Sequence, residues 1–245
     1  MKLHYETVSP LLVNCLKKIS ESDIFKDFSL VGGTCLSLQL GHRRSIDIDL
    51  FTDMDYGSMN TAAMKVFLKE NFPYTENLDT LDQPALGYSV RIGESPTACI
   101  KVDFFYTENF IFPIKSIDGI RLADIREIAA MKIKAITQDE PRQKDFWDIY
   151  ELSNTFSLKE MIEWATTRDE WSFTEKEVEA GFKKISNIKE CPEGIDCFRG
   201  YAWELISMDL KMDAEEYFDD NRIENAIRPL ALGTKLCKHP IKYTL

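Results

Sequence analysis

Residues 30–51 read LVGGTCLSLQLGHRRSIDIDLF, from Leu30 to Phe51, and the fold turns on how this stretch is read. Ile46, Ile48 and Leu50 alternate with Asp47 and Asp49, so a strand here turns its aliphatic side chains to one face and both carboxylates to the other. Adjacent anions repel. Oxygen ligands at this spacing suit a hard cation such as Mg2+ or Mn2+, which keeps waters and takes one or two protein carboxylates together with substrate phosphates. Upstream, Gly32 and Gly33 close the short run Phe28 to Val31 and precede a helix-like segment, Thr34 to Leu40, which Gly41 would end. Backbone amides at such a turn, together with the Thr34 hydroxyl, can approach phosphate oxygens closely. Each half is commonplace alone: a solvated strand face, a tight turn. Their joint spacing points to nucleotide chemistry.

Gly-Gly-Thr followed at this distance by Asp-x-Asp resembles the first motif of the polymerase-beta-like nucleotidyltransferase superfamily. The fuller string His42-Arg43-x-Ser45-x-Asp47-x-Asp49 resembles the AbiEii-type abortive-infection toxins, over roughly the first 150 residues. The resemblance implies NTP-dependent nucleotidyl transfer, toxicity to the host cell and restraint by an antitoxin partner.

Composition bounds the rest. The chain has 245 residues, 44% of them hydrophobic, with 15 Phe and 4 Trp, enough for a sizeable core in one or two domains. Thirty basic against 41 acidic residues leave a net charge of -11, a poor footprint for general adhesion to nucleic acid, so an RNA acceptor requires a local basic patch. No leader-like h-region and no bilayer-length apolar run is present, which predicts a cytoplasmic protein without membrane attachment. Cys15, Cys35, Cys99, Cys191, Cys197 and Cys237 are scattered without a C-x-x-C pair, favouring reduced, mostly buried thiols over structural zinc.

Along the chain, Ser9-Pro10 starts a helix whose Leu12, Cys15, Leu16 and Ile19 share a face. A second helix is expected over residues 58–71, with Ala62, Val66 and Lys69-Glu70 dividing its faces. Strand-like runs at Leu86 to Ile92 and Ala98 to Tyr106 flank a hairpin connection, residues 93–97. In the second run Ile100, Val102 and Phe104 alternate with Asp103, so Asp103 leaves the strand opposite the aliphatics. If the strands are neighbours, three carboxylates converge. In nucleotidyltransferases that this chain resembles, such a third acidic residue completes a two-metal site.

Asp124 caps the next helix, where Ile125, Ile128, Ala129, Ile133 and Ile136 form a stripe containing Lys132, with Lys134 opposite. Lys132 either snorkels or reaches a triphosphate, and the second reading is preferred. Asp145 and Asp148 share a face of the following helix and again resemble downstream motifs of the family; the alternative reading is that they only favour the helix dipole. Helices are expected over residues 157–167, 174–185 and 197–218, with the acidic cluster 213–220 as a solvated surface.

These readings combine into an α+β fold: a nucleotidyltransferase-like mixed sheet over residues 1–120 and a helical portion over 121–245 that completes the cleft. Asp47, Asp49 and Asp103 are the expected metal ligands. Gly32, Gly33, Thr34, Arg43, Ser45, Lys132 and Asp148 are expected at the nucleotide, with Asp145 orienting Lys132 or accepting a proton. The acceptor is an RNA, a tRNA end among the options, or a protein, and His42, Arg43, Arg44, Arg142 and Lys144 would supply the patch an RNA needs. Two other classes fit the same residues: an antibiotic-modifying nucleotidyltransferase and a non-catalytic nucleotide-binding module.

Overall fold

A computed structural model describes residues 2–169, 174–191 and 194–233, with side chains through residue 219. In chain order it runs α1 (Pro10–Ser20), β1 (Ser29–Val31), α2 (Gly32–Leu40), β2 (Ile48–Thr52), α3 (Thr61–Asn71), β3 (Tyr74–Glu76), β4 (Gly87–Ser95), β5 (Ala98–Tyr106), β6 (Lys115–Ile117) and β7 (Ile120–Leu122). Helices α4 (Ile125–Thr137), α5 (Gln143–Ser153), α6 (Leu158–Arg168), α7 (Glu175–Lys183) and α8 (Trp203–Gly233) complete it. This is the expected α+β class.

The strands form one mixed sheet in the order β3-β4-β5-β2-β1-β7-β6. β2 lies antiparallel to β1 and parallel to β5, with Asp49 opposite Val31 on one side and Asp103 on the other. The β4–β5 hairpin is longer and tighter than its sequence suggested: β4 runs to Ser95, past a register shift between Gly93 and Ser95. Helix α4 is the hub of the helical part, packed against α2, α5, α6 and α7. The supposed boundary after residue 120 falls within β7, so the first helix of the second portion leaves directly from the sheet.

Helix starts follow local chemistry. Ser9 Oγ accepts from the Leu12 amide (3.1 Å) and Asp124 from the Arg126 amide (3.1 Å), while Ser157 with Glu160 and Thr174 with Glu177 form capping boxes. α3 starts at Thr61, capped by Asn60, and buries Met64 and Leu68 while Val66 is exposed, so its inner face differs from the one expected. The last helix begins at Trp203, and residues 197–202 precede it as irregular chain; Asp220 of the acidic cluster lies outside the described side chains. Among the described cysteines only Cys15 and Cys35 are buried, against the expectation of mostly buried thiols, and Cys237 lies outside the described residues.

The core is aromatic under β5. The Phe104 ring stacks on Phe25 (centroids 5.4 Å apart) and meets Phe28 edge-on (5.5 Å). One buried ion pair had no sequence signal: Arg168 of α6 donates to Glu127 of α4, whose other oxygen accepts from the Ile111 and Phe112 amides (3.0 and 3.1 Å), anchoring the chain after β5. Because Phe104 is fully buried beside the strand position of Asp103, Phe104→Ala should cost about 3–5 kcal/mol in urea unfolding. A loss below about 1 kcal/mol would contradict this packing.

Candidate active site

Asp49 and Asp103 sit side by side on parallel strands, with Gly32 at the end of β1 beside them. Gly32 has φ +67°, and a Cβ there would overlap the Asp49 carboxylate, so no larger residue leaves that carboxylate in place. Burial, and then repulsion from Asp103, push the Asp49 carboxyl up to about 6. Asp103 accepts from Ser89 Oγ of β4 (2.6 Å) and from Lys101 Nζ (2.7 Å). Lys144 Nζ lies 3.7 Å from Asp47. Among the described residues, no three acidic, histidine or cysteine side chains are drawn together closely enough to hold a metal ion as they stand.

The Asp47 end departs from simple alternation. β2 starts at Ile48, and Ile46, expected on the aliphatic face, is exposed. Side partners rather than a ladder hold residues 45–47: the Ser45 amide donates to the Thr7 carbonyl (2.9 Å), and the Thr34 hydroxyl bridges Ser45 Oγ (2.8 Å) and the Asp47 carbonyl. Thr34 and Ser45 are therefore turned inward, where phosphate contact was expected. Their hydroxyls hold the loop that carries Asp47.

Behind this front lies a buried network centred on Asp148 of α5, which is fully buried. Arg43 forks onto it through Nε (2.7 Å) and Nη2 (2.8 Å), His42 Nε2 lies 2.9 Å away, and Lys132 Nζ stands 2.7 Å from both Asp148 and Asp145. Arg142 completes Asp145 from the rim, at 2.9 and 3.0 Å. Burial works against the Asp148 charge, but Arg43 and Lys132 outweigh it and hold the carboxyl well below the usual range. Burial likewise opposes the Lys132 charge, and Asp145 with Asp148 keep its value raised.

Three expectations change accordingly. Arg43 and Lys132, expected at the phosphates, are spent inside the network, and a Cβ on Gly33 would press into the Arg43 guanidinium. His42 and Arg43 are buried and offer no surface charge; Arg44, Arg142 and Lys144 remain of the basic patch. Asp145 and Asp148 share Lys132 instead of one of them owning it.

Sequence reading also missed a strap over this loop. The Arg44 amide donates to the Asp196 carbonyl (2.8 Å), the Phe198 amide to the His42 carbonyl (2.8 Å), and Arg43 bridges to Cys197. Arg44 Nε pairs with Asp196 (2.8 Å), and Arg199 donates to the Leu40 carbonyl (2.7 Å). Nothing periodic marks residues 196–199; of the Asp103 partners, strand alternation puts Lys101 on the same face, while Ser89 went unmarked.

Two consequences are measurable. A folded Asp49 that protonates more readily than an ordinary aspartate opposes folding as it ionises, an effect absent below about pH 4 and complete above about pH 6. Asp49→Asn should therefore stabilise the protein by about 1–3 kcal/mol at pH 7.5 in chelator, after allowance for partial solvent access, and by nothing at pH 4. Equal gains at both pH values in thermal melts would contradict the assignment. Lys132→Met strips one cation from two buried carboxylates and should cost about 3–5 kcal/mol in urea unfolding; an unchanged midpoint would exclude the network as drawn.

The family described as "Nucleotidyl transferase AbiEii toxin, Type IV TA system" matches residues 14–192. The uncharacterized protein aq_aa25 of Aquifex aeolicus (strain VF5) is 33% identical over 159 residues, which is 60% of this chain and 68% of that protein. The polyadenylate synthase of Megavirus aligns at 13% identity over 71% of this chain with a TM-score of 0.40, and the chain spans 36% of that protein's length. No helix among the described residues is long and apolar enough to cross a membrane. With the family match extending over most of its length, and over both the carboxylate strands and the Asp148 network, the chain belongs to the AbiEii nucleotidyl transferase toxin family.

Proposed function

We propose that this nucleotidyltransferase moves a nucleoside monophosphate from an NTP to a hydroxyl of an RNA or protein acceptor, as the toxin of a toxin–antitoxin or phage-defence system, with Mg2+ or Mn2+ held by Asp47, Asp49 and Asp103. The observation that carries the reading is the pairing of Asp49 with Asp103 across β2 and β5, next to the glycine that makes room for it. Two carboxylates pressed together in a partly buried place, one of them with a raised pKa, supply the hard oxygen donors a divalent cation requires.

Metal bound there would neutralise the triphosphate and lower the barrier to in-line attack on the α-phosphorus. The protein's own groups do the remaining work. The first amides of α2 open beside Asp49 without a side-chain cap, which suits an anionic ligand. Lys101 and Lys144, which stand 2.7 Å from Asp103 and 3.7 Å from Asp47, are the ammonium groups placed to meet phosphate oxygens beside these carboxylates. Both oxygens of Asp145 and of Asp148 are already engaged, so these two residues position the site and leave proton abstraction to others. Arg44 and Arg142, the exposed arginines of the basic patch, would meet an acceptor, which the net charge of -11 confines to this local patch.

The test incubates the purified protein with each radiolabelled NTP, Mg2+ and total cellular RNA or protein. Label should appear on one acceptor class, vanish in chelator, and fall at least about a thousandfold in Asp49→Asn, equivalent to about 4 kcal/mol of transition-state stabilisation. Expression of the wild type, but not of the Asp47→Ala, Asp49→Ala double variant, should slow growth. Undiminished transfer by Asp49→Asn, or no NTP consumption by the wild type, would refute the proposal.

A further inference from the structure

On the carboxylate face of the sheet, strand register fixes which side chains are neighbours. β5 is an interior strand flanked by β4 and β2. Ser89, Asp103 and Asp49 lie in one row across the three strands, and Arg91 and Lys101 lie in the next row of the same face. Lys101 and Asp103 are two apart on one strand, so the pleat itself keeps them on one side. The Lys101 ammonium stands 2.7 Å from Asp103 Oδ2, and Ser89 Oγ donates to Oδ1 (2.6 Å), which engages both oxygens of a carboxylate only 15% exposed. Arg91, directly across from Lys101, is turned to Glu76 (3.8 Å) and to the Cys99 sulfur (3.4 Å). Like charges opposite one another repel, so the ammonium is directed away from Arg91 and toward the carboxylates.

The charge of this face limits what else it holds. Asp47, Asp49 and Asp103 bring three negative charges, and Lys101 with Lys144, 3.7 Å from Asp47, returns two positive ones. One negative charge is left in excess, where strand acids without the lysines would leave three. In a two-metal site the ions stand about 3.5–4 Å apart and clamp the reacting oxygens between them. An ammonium already against Asp103 repels a further ion on that carboxylate, and a divalent ion feels twice the repulsion of a monovalent one. We propose that this site takes a single divalent ion among Asp47, Asp49 and Asp103, and that the Lys101 ammonium supplies at Asp103 the positive charge that a second ion supplies in two-metal nucleotidyltransferases. The inference rests on the nucleotidyl-transfer reading above and departs from the two-metal site that the resemblance implies. Lys101 acts through its charge and its hydrogen bonds, having no capacity as a Lewis acid.

The test titrates Mn2+ into the complex of the protein with a non-hydrolysable α,β-methylene NTP. Electron paramagnetic resonance counts the bound ions and separates an isolated Mn2+ from a spin-coupled pair. The wild type should bind one Mn2+ per chain with an uncoupled spectrum. Lys101→Met, which keeps the stem and removes the charge, should bind two and show the coupled pair. Lys101→Arg, which keeps the charge, and Ser89→Ala, which removes a neutral partner, should both stay at one. A coupled pair in the wild type, with nucleotidyl transfer intact, would overturn the single-ion site and spare the activity. One uncoupled ion in Lys101→Met, as in the wild type, would overturn the role given to Lys101. A wild type that binds no Mn2+ in this complex would remove the metal-dependent reading and this inference together.

Discussion

A single buried anion, Asp148, fixes the relation between the sheet and the helical part. An uncompensated carboxylate at zero exposure would cost several kcal/mol, and here it is met by a forked guanidinium and an imidazole from one loop and an ammonium from α4. Removing its charge partners one at a time is costly because the remaining charge has nowhere to go. The loop of His42 and Arg43, helix α4 and helix α5 are thus held by one group. Since residues 43–47 lead straight into β2, the placement of Asp47 and Asp49 follows from that same group.

The front of the site shows the opposite electrostatics. Asp49 and Asp103 are brought together by strand register, which is set by aliphatic alternation and hairpin geometry and takes no account of the repulsion it creates. Lys101 and Lys144 relieve it only partly, at 2.7 and 3.7 Å from Asp103 and Asp47. Behind, every charge has its partner; in front, negative charge is left in excess. Reactivity belongs with the unsatisfied layer, and rigidity with the satisfied one.

Much of this was legible in residues 30–51. Period-two alternation located the strand carboxylates of Asp49 and Asp103, and the glycine pair located the turn beside them. The α4 stripe placed Lys132 on the buried side, and Asp145 and Asp148 on one helix face. What the pattern left open was where these polar side chains end. An arginine next to a strand looks the same in sequence whether it points to phosphate or to a buried aspartate, so Arg43 was read as a surface donor although it is 4% exposed. Thr34 and Ser45 were read outward because the loop they fasten has no periodicity of its own. Residues 196–199 carried no signal because their contacts are backbone hydrogen bonds to a distant loop, which any side chains could make.

Those backbone contacts extend the working unit past its family signature. The match to the AbiEii family stops at residue 192, yet Asp196, Cys197 and Phe198 close hydrogen-bonding positions on His42 to Arg44, at the heart of the matched portion. A fragment trimmed to the shared signature would strip these amides and carbonyls of their mates, so the hydrogen-bonded frame of the loop that carries the guanidinium fork is completed by residues written outside the motif.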